Sequence, residues 1–257
     1  MATNKKSQPR YDLKAQDRKR NLAIQLGLTA IVVIFAVGLV LYIVTGHDKK
    51  TAGTGEAQAV RITSNSLIKK DGSDEPKAVL GLYEDFQCPH CRDFEKTFGP
   101  TITALTNSGA VATDYFMVSI LNSSANQNYS TRAANAAYCV ADESKDAFLR
   151  FHGALFSQQP EEGSGVAPQN SQLIETARQA GAAGGVPDCI NKGKYNTMVE
   201  GLAKAAKINA TPTIRLNGEE ISPATPDELV SKVKAIVGDV PGMQPAPAAP
   251  APAPAAR

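Results

Sequence analysis

Several things are missing from this 257-residue sequence, and each absence removes a class of function. The formal net charge is only +2, and outside the N-terminal tail no stripe interleaves basic with aromatic residues, so no nucleic-acid partner is expected. Histidine occurs three times. His47 and His152 stand at no ligand spacing and read as incidental, so no metal site is expected. The glycine-rich loops contain no phosphate-binding pattern. From Leu22 to Val44 there is no charged residue, and no cysteine follows that run, which argues against a lipid-modified mature end.

What is present sorts the chain into five parts. Residues 1–21 form a basic tail, with Lys5, Lys6, Arg10, Lys14, Arg18, Lys19 and Arg20 against Asp12 and Asp17. Residues 22–44 are uncharged and mostly apolar, and roughly 20 residues rising 1.5 Å each match a hydrocarbon core of about 30 Å. A single transmembrane anchor in contact with membrane lipid is predicted. Its basic flank lies inside, so the rest of the chain is expected outside the cytoplasmic membrane. A cleaved signal peptide is the weaker reading, because the run exceeds a signal core and Thr45 to Asp48 offer no small-residue cleavage site. Residues 45–58 make a linker rich in small residues, 59–237 a folded domain, and 238–257 a Pro/Ala tail that cannot build a core.

Inside the domain the pattern is α/β. Ala59 to Lys69 alternates weakly and suits an edge strand, and Ala78 to Tyr83 is an apolar central strand. A helix starts at Cys88 and ends near Asn107 to Gly109, and Val111 to Leu121 is rich in strand formers. Strand, helix and strand in that order imply a right-handed parallel crossover. Residues 129–208 read as helices over Thr131 to Val140, Asp146 to Phe156, Ser171 to Ala180 and Lys194 to Lys207, with loops at Pro160 to Pro168 and Gly181 to Pro187. A hairpin follows, Thr213 to Leu216 and Glu219 to Ile221 around Asn217-Gly218. A last helix runs from Pro226 to Val237 with Thr225 as its cap.

The chemistry concentrates at Cys88, Pro89, His90 and Cys91. Backbone N–H groups and the positive end of the helix dipole converge at a helix start, which favours a thiolate there. Cys88 is therefore expected to be acidic and exposed, with Cys91 one turn further in and shielded. Pro89 suits the first helical position, where its missing N–H had no partner. An inert disulfide, or a zinc site completed by Cys139 and Cys189, would use the same residues. Zinc is disfavoured because those two lie about 50 residues apart and no histidine cluster joins them. The preferred pairing for Cys139 and Cys189 is a structural disulfide. Glu84 and Asp85 precede the pair as candidate proton shuttles to Cys91, with Asp85 preferred.

Strand, Cys-Pro-His-Cys, helix and a distant Thr211-Pro212-Thr213 before a short strand resemble the DsbA type of thiol oxidoreductase, in its membrane-anchored versions. The resemblance covers about Ala59 to Val237. It implies a thioredoxin fold with an inserted helical subdomain. It also implies a cis Pro212 that turns the Thr211 backbone toward Cys88 for binding substrate, and a His90 that helps to stabilise the Cys88 thiolate. The activity implied is oxidation of reduced exported proteins by the Cys88–Cys91 disulfide, with no further cofactor. A quinone-linked membrane protein of the DsbB or vitamin K epoxide reductase type would reoxidise the pair. A reductase or isomerase on the same fold, and a non-enzymatic metal-binding or partner-docking envelope protein, are the alternatives. The acid that oxidases of this type carry further upstream is replaced here by Leu82.

Overall fold

The computed structural model describes residues 58–240. The expectations for 1–57 and 241–257, including the Leu22 to Val44 span, lie outside the described residues. Among the described residues no helix is long and apolar enough to cross a membrane.

A five-stranded sheet forms the base, in the order β1-β3-β2-β4-β5. Strand β2 (Val79–Glu84) lies at its centre. It pairs in parallel with β3 (Ala112–Met117) and antiparallel with β4 (Thr213–Leu216). Strands β1 (Val60–Ile62) and β5 (Glu219–Ile221) form the two edges. The apolar run of β2 follows from this position, since Leu80 and Leu82 are fully buried on one face while Tyr83 stacks on Phe116 on the other, centroids 4.4 Å apart. Helix α1 (Pro89–Asn107) connects β2 to β3 and buries Phe94, Phe98, Ile102 and Leu105 at helical spacing. Its exit requires Gly109, whose φ is +78° and where a Cβ would stand 2.1 Å from the Ser66 carbonyl oxygen.

Between β3 and β4 come α2 (Tyr129–Glu143), α3 (Lys145–Ser157), α4 (Asn170–Gln179), α5 (Val186–Lys192) and α6 (Asn196–Ala206). Helix α2 touches the other four, and its buried Ala133, Ala134, Ala136 and Ala137 permit that close approach. A disulfide joins Cys139 on α2 to Cys189 on α5, with Cα atoms 5.8 Å apart. Helix α7 (Pro226–Val237) closes the domain, and the Thr225 hydroxyl accepts from the Glu228 N–H at 3.2 Å. The Asn217-Gly218 turn does more than reverse the chain, because Asn217 Oδ1 accepts from the Val79 N–H at 2.8 Å and ties the hairpin to the central strand.

The edge strand expected over Ala59 to Lys69 covers only Val60–Ile62, and three further boundaries depart from expectation. Residues 186 and 187, assigned to a loop, open helix α5, where a proline in the first turn gives up no helical hydrogen bond. The third strand stops at Met117 instead of Leu121, because the chain bends so that the Leu121 N–H reaches Asp85 Oδ2 at 2.8 Å. Val240 is 5% exposed and packs into the core, so the packed chain continues past the expected limit at Val237.

Candidate active site

Cys88 occupies the N-cap of α1 in an extended conformation, and no side chain caps the helix. Its own sulfur takes the place a capping oxygen would fill. Both thiols are free, with Cys88 4% exposed and Cys91 fully buried. The Cys91 thiol hydrogen-bonds the Cys88 sulfur and lowers its pKa to about 5, against an opposing effect of burial. The Thr211 side chain and the backbone N–H groups of Cys91 and His90 contribute smaller parts of that lowering. Burial, the hydrogen bond to Cys88 and the nearby Glu84 charge all push the Cys91 thiol up. One sulfur is thus held as a thiolate and its neighbour as a thiol.

The Thr211–Pro212 peptide is cis, and the Thr211 carbonyl oxygen stands 3.3 Å from Cys88 Sγ, a contact that becomes a hydrogen bond only when the sulfur is protonated. Gln159, just past α3, donates from Nε2 to the carbonyls of Phe86 (3.1 Å) and Cys88 (2.9 Å). Gln87 donates to the Pro160 carbonyl at 3.1 Å. The insertion therefore clamps the segment that carries the nucleophile.

Both acids before the cysteines are fully buried. Asp85 accepts backbone N–H groups on both oxygens, from Gln87 (2.9 Å) and Leu121 (2.8 Å). Glu84 turns to the other side, where its Oε2 meets His152 Nε2 of α3 at 2.9 Å. Burial pushes the Glu84 carboxyl up to about 8, and burial also raises Asp85.

A family model described as Thioredoxin matches residues 71–235. The chain belongs to the thioredoxin family. Solved structures place it on the DsbA-like thiol-disulfide oxidoreductase branch. DsbA from Mycobacterium tuberculosis, in its oxidised form, is 58% identical with a TM-score of 0.71, over 72% of this chain and 95% of that one. The disulfide oxidoreductase DsbG from Mycobacterium tuberculosis is also 58% identical, with a TM-score of 0.71, over 74% of this chain and 92% of that one. Among curated proteins, the serine/threonine-protein kinase PknE of Mycobacterium tuberculosis is 26% identical over 163 residues. That match takes in 62% of this chain but only 28% of the kinase, so the chain spans well under a third of the curated relatives' length.

Within this thioredoxin-family frame the structure brings Cys88, Cys91, Thr211 and Pro212 together and leaves other expected roles elsewhere. Cys88 is not exposed as expected, because the Thr211 segment, 123 residues away in sequence, covers it. The His90 ring points to solvent, and what His90 supplies to the thiolate is its backbone N–H. Asp85, the preferred shuttle, has both oxygens occupied in holding backbone, so of the two acids it is Glu84 that bears on Cys91. His152 is not incidental but 3% exposed and paired with Glu84. Gln87, Glu95 and Gln159 complete the set that sequence reasoning missed. No local pattern marks Gln159, whereas Glu95 stands one turn after Cys91 on the same helix face, a position that could have drawn notice.

Proposed function

We propose that the chain is an extracytoplasmic thiol:disulfide oxidase that introduces disulfides into exported proteins. The observation that carries this reading is the split between the two sulfurs, with Cys88 lowered to about 5 and Cys91 raised. A stabilised Cys88 thiolate favours the reduced protein, and a favoured reduced form makes the disulfide a better oxidant. In the forward reaction a substrate thiolate attacks Cys88 Sγ. The Cys88–Cys91 bond breaks, Cys91 leaves with the electron pair and takes up a proton, and a mixed disulfide remains. A second substrate thiolate attacks the substrate sulfur of that bond, closing the substrate disulfide and releasing Cys88 as thiolate. Two electrons pass from substrate to the pair, and an acceptor must remove them. A quinone-linked membrane protein of the DsbB or vitamin K epoxide reductase type fits that need. A membrane anchor at Leu22 to Val44 would hold the domain beside such a partner. The Thr211 backbone, placed beside Cys88 Sγ, suits pairing with an extended, unfolded substrate segment.

Oxidative refolding of a reduced protein with paired cysteines tests the proposal. The chain should accelerate disulfide formation and Cys88→Ser should abolish the effect; full activity in Cys88→Ser would refute it. The likeness to a protein named DsbG leaves reduction or isomerisation as the second reading. A potential near that of thioredoxin would favour that alternative.

A further inference from the structure

Directly behind Cys91 three ligand-type side chains converge from three elements: Glu84 from β2, Glu95 from α1 and His152 from α3. One donor atom of each lies within 4.8 Å of the other two. The Glu84 side chain is fully buried and that of His152 is 4% exposed. Glu84 Oε1 and Glu95 Oε1 are both buried and have no hydrogen-bond partner. The rings of Phe86, Tyr115, Phe148 and Phe156 surround His152, with centroids 4.9–5.6 Å away, and make its side of the cluster apolar.

Two carboxyl groups sharing an apolar enclosure with one imidazole are costly to hold there in ionised form unless their charge is compensated. Among the described residues, His152 is the basic group paired with Glu84, and beyond that pair the two carboxyls satisfy each other only while one of them stays protonated. A doubly charged cation takes the place of that proton and meets the oxygens of both acids. We propose that Glu84, Glu95 and His152 bind one divalent transition-metal ion behind the redox cysteines.

The donor set suits zinc, manganese or cobalt in their divalent forms, since two carboxylate oxygens and an imidazole nitrogen are neither a thiolate set nor the all-oxygen cage that calcium takes. Bonds of about 2.0 Å in a tetrahedron put donors about 3.3 Å apart, so the cluster must contract by at most about 1.5 Å. Glu95 can supply most of this, because it lines a groove of about 500 Å³ between α1 and α3 and is only partly buried. The same groove gives the ion a way in. It passes Gly153, where even a Cβ would meet nothing within 4 Å. Three protein ligands leave a fourth position for water from the groove. The bound ion would add positive charge beside Cys91 and favour its thiolate, a consequence that rests on the redox reading whereas the binding itself does not.

The test uses the full chain in its oxidised form, where the closed Cys88–Cys91 disulfide leaves neither thiol free to ligate. After removal of adventitious metal by a chelator, cobalt(II) is titrated in and followed by visible absorption, and zinc(II) by calorimetry. One ion per chain is expected, with a nitrogen and oxygen ligand spectrum that lacks a sulfur-to-cobalt charge-transfer band. Glu95→Gln, checked for folding by circular dichroism, should weaken binding at least about tenfold. The absence of saturable binding to the folded oxidised chain would overturn the proposal, whatever becomes of the oxidase activity. So would undiminished binding in Glu95→Gln, or binding confined to the reduced chain and lost in Cys88→Ser. The wild-type spectrum decides the question even if the variant does not fold.

Discussion

The sharpest consequence of the Cys88 environment is the way the reduction potential should depend on pH. Cys88 falls from an ordinary value of 9.0 to about 5, and Cys91 moves the other way. Between these limits the reduced pair carries one proton, so reduction takes up one proton for two electrons. The equilibrium then changes tenfold per pH unit, which is about 30 mV. Below pH 5 both sulfurs are protonated, two protons accompany two electrons, and the slope doubles to about 59 mV per unit. An ordinary thiol would place that break near pH 8.5 to 9. At pH 7, two units below the ordinary value, the thiolate stabilises the reduced fold by about 2.7 kcal/mol, equivalent to about 60 mV of added oxidising strength. The sign follows from linkage, because a depressed pKa contributes stability that is complete above the ordinary value and is lost as pH falls through 5. The oxidised form has no thiol here and should show none of this dependence. The assay equilibrates the chain with glutathione mixtures from pH 4 to 8, quenches with an alkylating reagent and counts modified cysteines by mass. A break near pH 5 is expected. A slope of about 59 mV persisting through pH 7 would refute the thiolate assignment.

Three further outcomes follow from the packing. Replacing Cys139 and Cys189 together by alanine frees a 50-residue loop in the denatured chain, and urea unfolding should show a loss of about 2–4 kcal/mol. No loss would mean that the bond does not restrict the denatured chain. Gln159→Ala takes from the Phe86 carbonyl its side-chain donor and from the Cys88 carbonyl one of three, the N–H groups of Cys91 and Arg92 remaining, and a stability decrease of about 1–3 kcal/mol should appear in the same assay. Gly109→Ala must drive a methyl group into the Ser66 backbone at positive φ, so its thermal midpoint should drop in line with a loss of at least about 2 kcal/mol; a midpoint within a degree of wild type would contradict that geometry.

Much of the fold was written locally. Asn217-Gly218 announces a hairpin because both positions need positive φ, here 51° and 87°, and Thr225-Pro226 announces a helix start by cap and ring geometry. The cysteine pair was legible for the same reason, since a strand running into a helix start is a local pattern with its own electrostatics. The rest depends on residues far apart in the chain. Glu84 and His152 are 68 positions apart and their pairing leaves no periodic trace, so that Glu95, one turn after Cys91, is the single local sign of the cluster. The cover over Cys88 comes from Thr211, and the engagement of Asp85 depends on where the Leu121 loop turns back. Burial of Val240 reflects a late contact that composition alone, at the edge of a Pro/Ala tail, argued against.

The complete burial of Cys91 has a kinetic meaning. Whatever donates electrons and whatever removes them must both come through Cys88, the one cysteine of the pair with any exposure. Two partners cannot occupy a single atom at once, so the two halves of turnover exclude each other in time. Exchange must alternate, and steady-state rates measured against donor at several acceptor concentrations should give parallel double-reciprocal lines.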